Sequence, residues 1–346
     1  MSEKAAMDIK EWIVKNGGYI RDVKYPTLYD SFLNGKYTGI QTNQPITPQS
    51  VIISIPSHLL LSVDDAYYSD IAPLFHNHAK IFGPLFVHWQ KVMLSTFVIY
   101  EMSKEAHSKW YPLFEVWKHT YVHNYYMWSQ EEIISIPSKI ERKRAIRQMD
   151  MVYKTWNTLV LIIKKYPNIF PAKYFNYETY RRIWALSASR SFSSLYEHNM
   201  FAPFAEFINH GNVKCSYRTK VEPCDIAKSS IESEFNSDFE FDEYTDKEIN
   251  PIPLTENKNQ PIGSFEDDLK RMQSDYAKSG KRDENLKYDK SFELEFKNSS
   301  KHEAYKLEIF TKEQTFDKQS QILMSYGEHS NNYLCLLYTS PSPRDS

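Results

Sequence analysis

Two segments of the sequence concentrate side chains that could bind and orient a small polar ligand. Arg190 and Phe192 form an Arg-x-Phe pair, and Asn209 and His210 stand together further along the same segment. A guanidinium is a planar donor suited to a carboxylate, whereas asparagine and histidine each offer a donor and an acceptor. The second segment carries Tyr326, whose hydroxyl could orient a reacting group. Taken singly these patterns are weak, because Asn-His is common in turns and Tyr-Gly often ends a strand.

Histidine pairs raise the alternative of a metal site. His119 and His123 lie four residues apart, and His76 and His78 flank one residue, both spacings that occur among metal ligands. No third ligand stands near either pair, so we interpret them as polar edges of aromatic helices and expect no metal. The cysteines lack CxxC spacing, which argues against a structural zinc cluster; they are Cys215, Cys224 and Cys335.

The overall charge indicates no particular class of partner. The chain has 346 residues, a formal net charge of -2 and a pI near 6.6, so neither nucleic acid nor an anionic membrane is implied. The basic run KIERKRAIR could dock an acidic partner, but a solvated helix face is its usual meaning. The first residues lack the apolar core of a signal peptide, and no apolar run reaches the roughly 18 to 20 residues of a membrane helix. We expect a soluble monomer of the cytoplasm, the nucleus or both.

Helices are predicted where apolar residues recur every three or four positions. A short amphipathic helix over 8–16 ends at two glycines. A helix begins at Trp89, a long helical region covers 138–165, and a third helix contains Tyr180 and delivers Arg190 near its end.

Strands are predicted on both sides of these helices. Two short strands fall within 39–54, of which the run beginning at Val51 is the firmer. Tyr305, Leu307 and Ile309 alternate with charged residues, as in a half-buried strand, and 322–324 forms a short buried strand just before Tyr326. The fold class is therefore α+β.

An acidic segment separates these last strands from the rest. Between residues 231 and 248 eight acidic residues stand against one lysine, and polar residues dominate the flanking sequence. Such a composition offers little apolar surface to offset the entropy of ordering, so we expect 221–300 to be a mostly disordered insertion.

Three separated segments, taken in order, resemble the SET methyltransferases of the Rubisco large-subunit methyltransferase type, whose SET domain is split by a helical insertion. The most specific, SRSFSSLYEHNMFAPFAEFINHGN, is similar to that group's Arg-x-Phe, Pro-x-Ala-Asp-like run and Asn-His. QILMSYGEHSNNYL is similar to its strand followed by Ser-Tyr-Gly, and GKYTGIQTNQPITPQSVIISIPSHLLLS to its opening glycine turn. A fourth, helical match is WQKVMLSTFVIYEMSKEAHSKWYPLFEVW. Gly211 departs from the group's usual serine.

The resemblance implies a SET-type fold of short strands in small sheets with a mainly helical insertion. The last residues, CLLYTSPSPRDS, resemble translated sequencing-adapter sequence and are expected to be non-native. The implied layout is an N-terminal helix and first SET part (1–62), a helical insertion (63–188), a second SET part (189–220 and 301–334), the acidic insertion (221–300) and the non-native tail (335–346).

The implied activity is transfer of a methyl group from S-adenosyl-L-methionine to a side-chain nitrogen of a protein. We expect a lysine acceptor on a non-histone protein, because the chain lacks the cysteine-rich cluster typical of many histone-directed enzymes. A histidine acceptor, as in the actin-directed enzyme of this type, is an open alternative. A non-catalytic SET-like module that only binds protein is another.

The resemblance also assigns roles to individual residues. Tyr326 is the expected catalytic residue, with its hydroxyl orienting the acceptor nitrogen. Gly39 is expected to let the backbone approach the cofactor, because it has no side chain to obstruct it. The residues expected to bind the cofactor are Thr38, Gly39, Arg190, Phe192, Glu206, Asn209 and His210.

Overall fold

The computed structural model describes residues 3–30, 36–122, 124–221, 292, 295–297 and 304–326. The helices among them are α1 (Glu3–Lys15), α2 (Val63–Tyr67), α3 (Ala72–Asn77), α4 (Ala79–Phe82), α5 (Trp89–Ser103), α6 (Tyr111–Lys118), α7 (Gln130–Ile134), α8 (Lys139–Ile163) and α9 (Tyr177–Arg190). The strands are β1 (Tyr19–Ile20), β2 (Val23–Asp30), β3 (Lys36–Thr42), β4 (Val51–Pro56), β5 (Leu61–Ser62), β6 (Ser191–Ser193), β7 (Asn199–Phe201), β8 (Asn209–His210), β9 (Cys215–Val221), β10 (Tyr305–Thr311) and β11 (Gln321–Met324). Within the described ranges no helix has the length and apolar character needed to cross a membrane.

Three small sheets are built from strands that are distant in sequence. Their strand orders are β1-β4-β10-β9, β2-β3-β11-β8 and β5-β7-β6. In the second sheet β11 runs antiparallel to β3 and parallel to β8. The predicted α+β class, with small sheets beside a helical block, is confirmed.

The helical block lies between β5 and β6 along the chain. Side-chain caps start two of its long helices: Ser138 accepts from the Glu141 amide at α8, and Asn176 accepts from the Thr179 amide at α9. Each cap satisfies a backbone donor that the helix leaves without an internal partner. Helices α5 and α9 pack together, and Trp184 of α9 is fully buried. This packing fixes the helix end that carries Arg190.

Most predicted elements are present, with two differences. Helices α5, α8 and α9 match the predicted helices, whereas α1 begins at Glu3 instead of residue 8. Strand β10 was predicted to be half-buried, but it lies between β4 and β9 and both of its faces are covered. Its Glu308 is 9% exposed and forms an ion pair with Arg218 at 2.9 Å. The pairing explains how a charged residue is accepted in an interior strand.

Several predictions fall on residues outside the described ranges. Of the expected insertion 221–300, Val221 ends β9, and Phe292 and residues 295–297 are packed against the helical block. The remainder of that insertion, His123 and the tail 335–346 are not among the described residues.

Candidate active site

Strands β3, β8 and β11 bring together side chains that are far apart in sequence. Leu323 and Met324 pair with Asn209 and His210 across the parallel β11–β8 contact. The Asn209 Nδ2 donates to the Thr38 carbonyl at 2.9 Å, which joins β8 to β3. Contacts of Arg190, Glu206 and Tyr326 extend this group. The group is called the polar cluster below and contains Thr38, Arg190, Glu206, Asn209, His210 and Tyr326.

His210 and Tyr326 are joined by a backbone hydrogen bond. The Tyr326 N–H donates to His210 Nδ1 at 3.1 Å, and the two rings lie 5.2 Å apart. Because Nδ1 accepts a hydrogen bond, a neutral His210 ring carries its proton on Nε2.

The Tyr326 hydroxyl points into the cluster. It donates to the Ile208 carbonyl at 2.5 Å, and burial raises the pKa of Tyr326 to about 12, with a lowering contribution from Arg190 and a smaller raising one from Glu206. The hydroxyl is therefore protonated at neutral pH. Its oxygen lone pairs can accept a hydrogen bond from a ligand while its proton is held by Ile208.

Arg190 ends α9 and faces the same cluster. Its Nη1 donates to the Glu206 backbone carbonyl at 2.9 Å. Within the described part of the chain, no carboxylate lies at ion-pair distance from this guanidinium. Since a guanidinium has five N–H donors, most of its donors are available to a bound anion.

The Glu206 side chain connects the cluster to the helical block. It is 5% exposed, and Trp117 Nε1 of α6 donates to its Oε1 at 2.6 Å. Its Oε2 has no hydrogen-bond partner among the described residues. Burial raises the pKa of Glu206 to about 7, since it outweighs the opposing effects of Arg190 and Trp117. The carboxyl group is therefore partly protonated near neutral pH.

Replacing Glu206 by glutamine tests this assignment through the pH dependence of stability. The pKa of this carboxyl group is 4.5 in the unfolded state and about 7 in the folded state. Its ionisation therefore destabilises the folded state as pH rises from 4.5 towards 7, whereas an amide does not ionise. Relative to the parent, Glu206→Gln should gain stability as pH rises from about 5 to 8, by at most about 3 kcal/mol. Urea unfolding of both proteins across this range measures the difference. A stability difference that stays constant with pH would contradict the raised pKa.

Gly39 lies where three side chains converge on β3. A Cβ at Gly39 would lie 2.5 Å from Gln321 Nε2, 2.9 Å from Asn209 Nδ2 and 3.1 Å from the Tyr29 ring. The structure thus gives a packing reason for the glycine, since a side chain there would displace the Asn209 amide. Its expected contact with a cofactor stays a prediction.

Gly39→Ala should therefore destabilise the chain by about 1 to 3 kcal/mol, because the new methyl group overpacks this contact. Gln321 is the neighbour nearest to the added carbon. In a double-mutant cycle, Gln321→Ala should recover part of the loss. Thermal unfolding of the two single variants and the double variant gives the coupling, and strictly additive losses would show that Gln321 is not the obstructing group.

Two aromatic residues belong to the site although the sequence did not reveal them. The Tyr25 ring stacks on Phe207 at 4.7 Å. Burial raises the pKa of its hydroxyl, with smaller contributions from Arg190, Glu206 and Thr38 of the polar cluster. Trp117, the donor to Glu206, is the last residue of the helical segment that carried the family resemblance, which was the available signal for it. Tyr25 had no such signal, since no strand was predicted around it.

Phe192 and the histidine pairs have other surroundings. The Phe192 ring makes its ring contact with Tyr217, at 5.2 Å and 89°, so its expected place in the cofactor pocket stays a prediction. His78 is hydrogen-bonded to the Tyr166 hydroxyl at 3.2 Å, and His76 lies against Tyr67. In the described ranges no three His, Cys, Asp or Glu residues are grouped as metal ligands.

Comparison with models of protein families gives no match, and neither does comparison with curated proteins. Solved structures do match. The SET domain of LSMT bound to lysine and AdoHcy has a TM-score of 0.60 and 17% identity over 97% of this chain and 57% of that one. Rubisco LSMT bound to sinefungin and monomethyllysine has a TM-score of 0.58 and 16% identity, over 100% of this chain and 58% of that one. Rubisco LSMT bound to AdoMet has a TM-score of 0.57 and 15% identity, over 99% and 57%.

These likenesses establish the fold and its extent. At such low identity they show the fold alone, and they confirm the SET-type fold predicted from the order of the motifs. The chain spans less than two thirds of the length of the solved structures that it matches.

Proposed function

We propose that this chain, which has the SET-type fold of the Rubisco large-subunit methyltransferases, is an S-adenosylmethionine-dependent protein methyltransferase. The observation that carries the proposal is the polar cluster, in which Arg190, Asn209, His210 and Tyr326 come together from three distant parts of the sequence. The matched structures contain AdoMet, AdoHcy or sinefungin, two of them together with lysine or monomethyllysine.

The residues of the cluster fit this cofactor. Arg190 is anchored by one hydrogen bond to the Glu206 carbonyl, and its other N–H groups suit the carboxylate of an amino-acid moiety. Asn209 uses one amide N–H on Thr38, which fixes the side chain and leaves its carbonyl oxygen to accept a hydrogen bond. The cofactor supplies an electrophilic methyl group on a sulfonium centre.

The protein's main contribution to methyl transfer is positioning, because an in-line displacement requires the acceptor nitrogen and the methyl group to be aligned. The Tyr326 hydroxyl stays protonated and is fixed on Ile208, so it can orient the acceptor nitrogen by accepting its hydrogen bond. The Ile208 carbonyl, which accepts from the Tyr326 hydroxyl, can also accept a weak C–H hydrogen bond from the methyl group. A lysine acceptor must be neutral, and burial in an apolar channel lowers its pKa.

We further propose that the acceptor is a lysine of a non-histone protein. The three cysteines do not provide a cysteine-rich cluster, and the matched structures that hold an acceptor hold lysine or its monomethyl form. The chain would act as a monomer in the cytoplasm, the nucleus or both.

Two experiments test these proposals in order. Titration calorimetry with AdoHcy tests cofactor binding. Transfer of tritiated methyl groups from S-adenosylmethionine to heat-treated extract proteins then tests activity. Acid hydrolysis of the labelled protein then separates methyl-lysine from methyl-histidine. Binding with transfer to lysine is the expected result. Transfer to histidine would show that the acceptor is histidine and not lysine. Binding without transfer would favour a non-catalytic module. No AdoHcy binding by the folded chain would overturn the proposal.

A further inference from the structure

Two phenylalanines from the far side of the acidic segment are buried in the helical block. Phe292 is 0% exposed and Phe296 is 1% exposed. The backbone is helical at residues 292, 295 and 296. Positions four apart lie on one face of a helical turn, so both rings can enter the same groove.

The groove that receives them is aromatic and is built from α2, α3, α5 and the β6–β7 connection. The Phe296 ring stacks on Tyr67 at 3.8 Å and 7°, and the Phe292 ring stacks on His76 at 5.2 Å. A Cβ at Gly83 would lie 2.5 Å from the Ala79 carbonyl oxygen and 3.2 Å from the Phe292 ring, so the glycine makes room for both. The aromatic groove is lined by Tyr67, Tyr68, His76, Trp89 and His198.

A buried charge cluster closes one side of the groove. His198 is 1% exposed, and its Nδ1 lies 2.9 Å from Asp64 Oδ1 of α2. On the opposite edge, Nε2 lies 3.5 Å from Glu295 Oε1, an ion-pair distance that is long for a hydrogen bond. Among the described residues, the rings of Trp89 and Phe296 also lie against His198, at 5.8 Å and 4.7 Å, and both are uncharged.

We propose that Phe292 and residues 295–297 dock reversibly, and that the aromatic groove is a peptide-binding site for a segment with phenylalanines at i and i+4 and a carboxylate at i+3. The occupant is this chain's own segment, which residues 222–291 connect to β9. The arrangement has the features of helix-in-groove recognition: two apolar anchors on one helical face and one charge that sets the orientation. This inference does not rest on the proposed methyltransferase activity.

The charge cluster makes docking depend on pH. Burial alone would lower the pKa of His198, but hydrogen bonds and charges from Asp64 and Glu295 outweigh it and raise the pKa to about 9. Asp64 lies beside His198 whether or not the segment is docked, so the share of this raised pKa that favours docking comes from Glu295. That share is lost as pH rises through about 9. Docking should therefore be firm at neutral pH and weaker above pH 9.

The test uses a labelled peptide of residues 290–298, KSFELEFKN, and the double variant Phe292→Ala/Phe296→Ala, measured by fluorescence anisotropy. The vacated groove of the folded double variant should bind the peptide at least about ten times more tightly than the parent, whose groove is filled. A peptide with alanine at both phenylalanine positions is the control. Affinity should fall between pH 7 and 9.5, and His198→Gln in the double variant should remove that pH dependence. Equal binding to parent and double variant, or no binding to either, would overturn the proposal.

Hydrogen exchange on the unsubstituted full chain gives a second measurement that does not depend on the double variant folding. After correction for intrinsic rates, amide protection at 292–297 should drop between pH 7 and 9.5 while that of α5 is maintained. Glu295→Gln keeps the size of the side chain and removes its charge, so it should already show the weaker protection at pH 7. Protection that is the same at both pH values, or unchanged in Glu295→Gln, would contradict reversible docking.

Discussion

Tyr326→Phe is expected to lower the rate of methyl transfer about 100-fold while AdoHcy affinity stays within about threefold of the parent. The ring and its contact with His210 survive the substitution, so the ground-state pocket is preserved. What is lost is a hydroxyl that is fixed on the Ile208 carbonyl and stays protonated at neutral pH. An orienting group of this kind acts mainly on the transition state, so the loss should appear in turnover.

Tritium transfer and calorimetry on the same preparations measure the two quantities. Tyr153→Phe is the matched control, because Tyr153 is 52% exposed on α8 and lies outside the polar cluster. The melting temperature must also be compared, since removing the hydroxyl leaves the Ile208 carbonyl without its partner, at about 1 to 3 kcal/mol. Equal turnover of Tyr326→Phe and the parent would remove Tyr326 from the mechanism.

Arg190→Met should weaken AdoHcy binding by about 10- to 100-fold, because hydrogen bonds to a charged group contribute about 1.5 to 3 kcal/mol. Methionine retains an unbranched side chain and deletes the donors that are not used on Glu206. Arg190→Lys should recover part of the affinity, since it restores the charge but not the planar fork.

Calorimetry on the folded variants measures this effect, and raised ionic strength should weaken the parent more than the methionine variant. Arg147→Met is the control, because Arg147 is an exposed arginine on α8. If Arg190→Met loses affinity only in proportion to a lowered melting temperature, Arg190 has a structural role through the Glu206 carbonyl and does not bind the ligand.

The parts of the fold that were predictable are those set by local periodicity. Helices α5 and α9 carry apolar residues at helical spacing, and the Asn176 cap of α9 lies four residues before its first buried side chain, Tyr180. The burial of both faces of β10 was not predictable in this way, because it depends on how distant segments pack around the strand. Even its sheet neighbours β4 and β9 lie more than 80 residues earlier in the chain. Its alternating pattern also describes a strand with one open face. The two cases are distinguished in three dimensions by the burial of successive side chains on both faces and by the Glu308–Arg218 pair.

The candidate site, like the fold, was predictable only in part. The order of the motifs was enough to place Arg190, Asn209, His210 and Tyr326 in one cluster. It did not reveal Tyr25, whose stacking on Phe207 depends on the path of β2 beneath the cluster. The reason for Gly39 also differs. The resemblance implied that this glycine makes room for a ligand, whereas in the structure it makes room for the Asn209 amide. The two cases cannot be told apart from the sequence.

The position of β11 between β3 and β8 has a consequence for how the protein is made. A ribosome synthesises Thr38 and Asn209 long before Leu323, so the nascent chain exposes the unpaired edges of β3 and β8 until β11 emerges. Exposed strand edges are templates for intermolecular pairing, and contacts of such long sequence separation form slowly. The polar cluster is therefore completed only after translation has passed residue 326, and a ligand that binds there stabilises the whole folded chain by mass action. Under the proposed function, S-adenosylmethionine present during synthesis would thus act as a folding aid as well as a reactant.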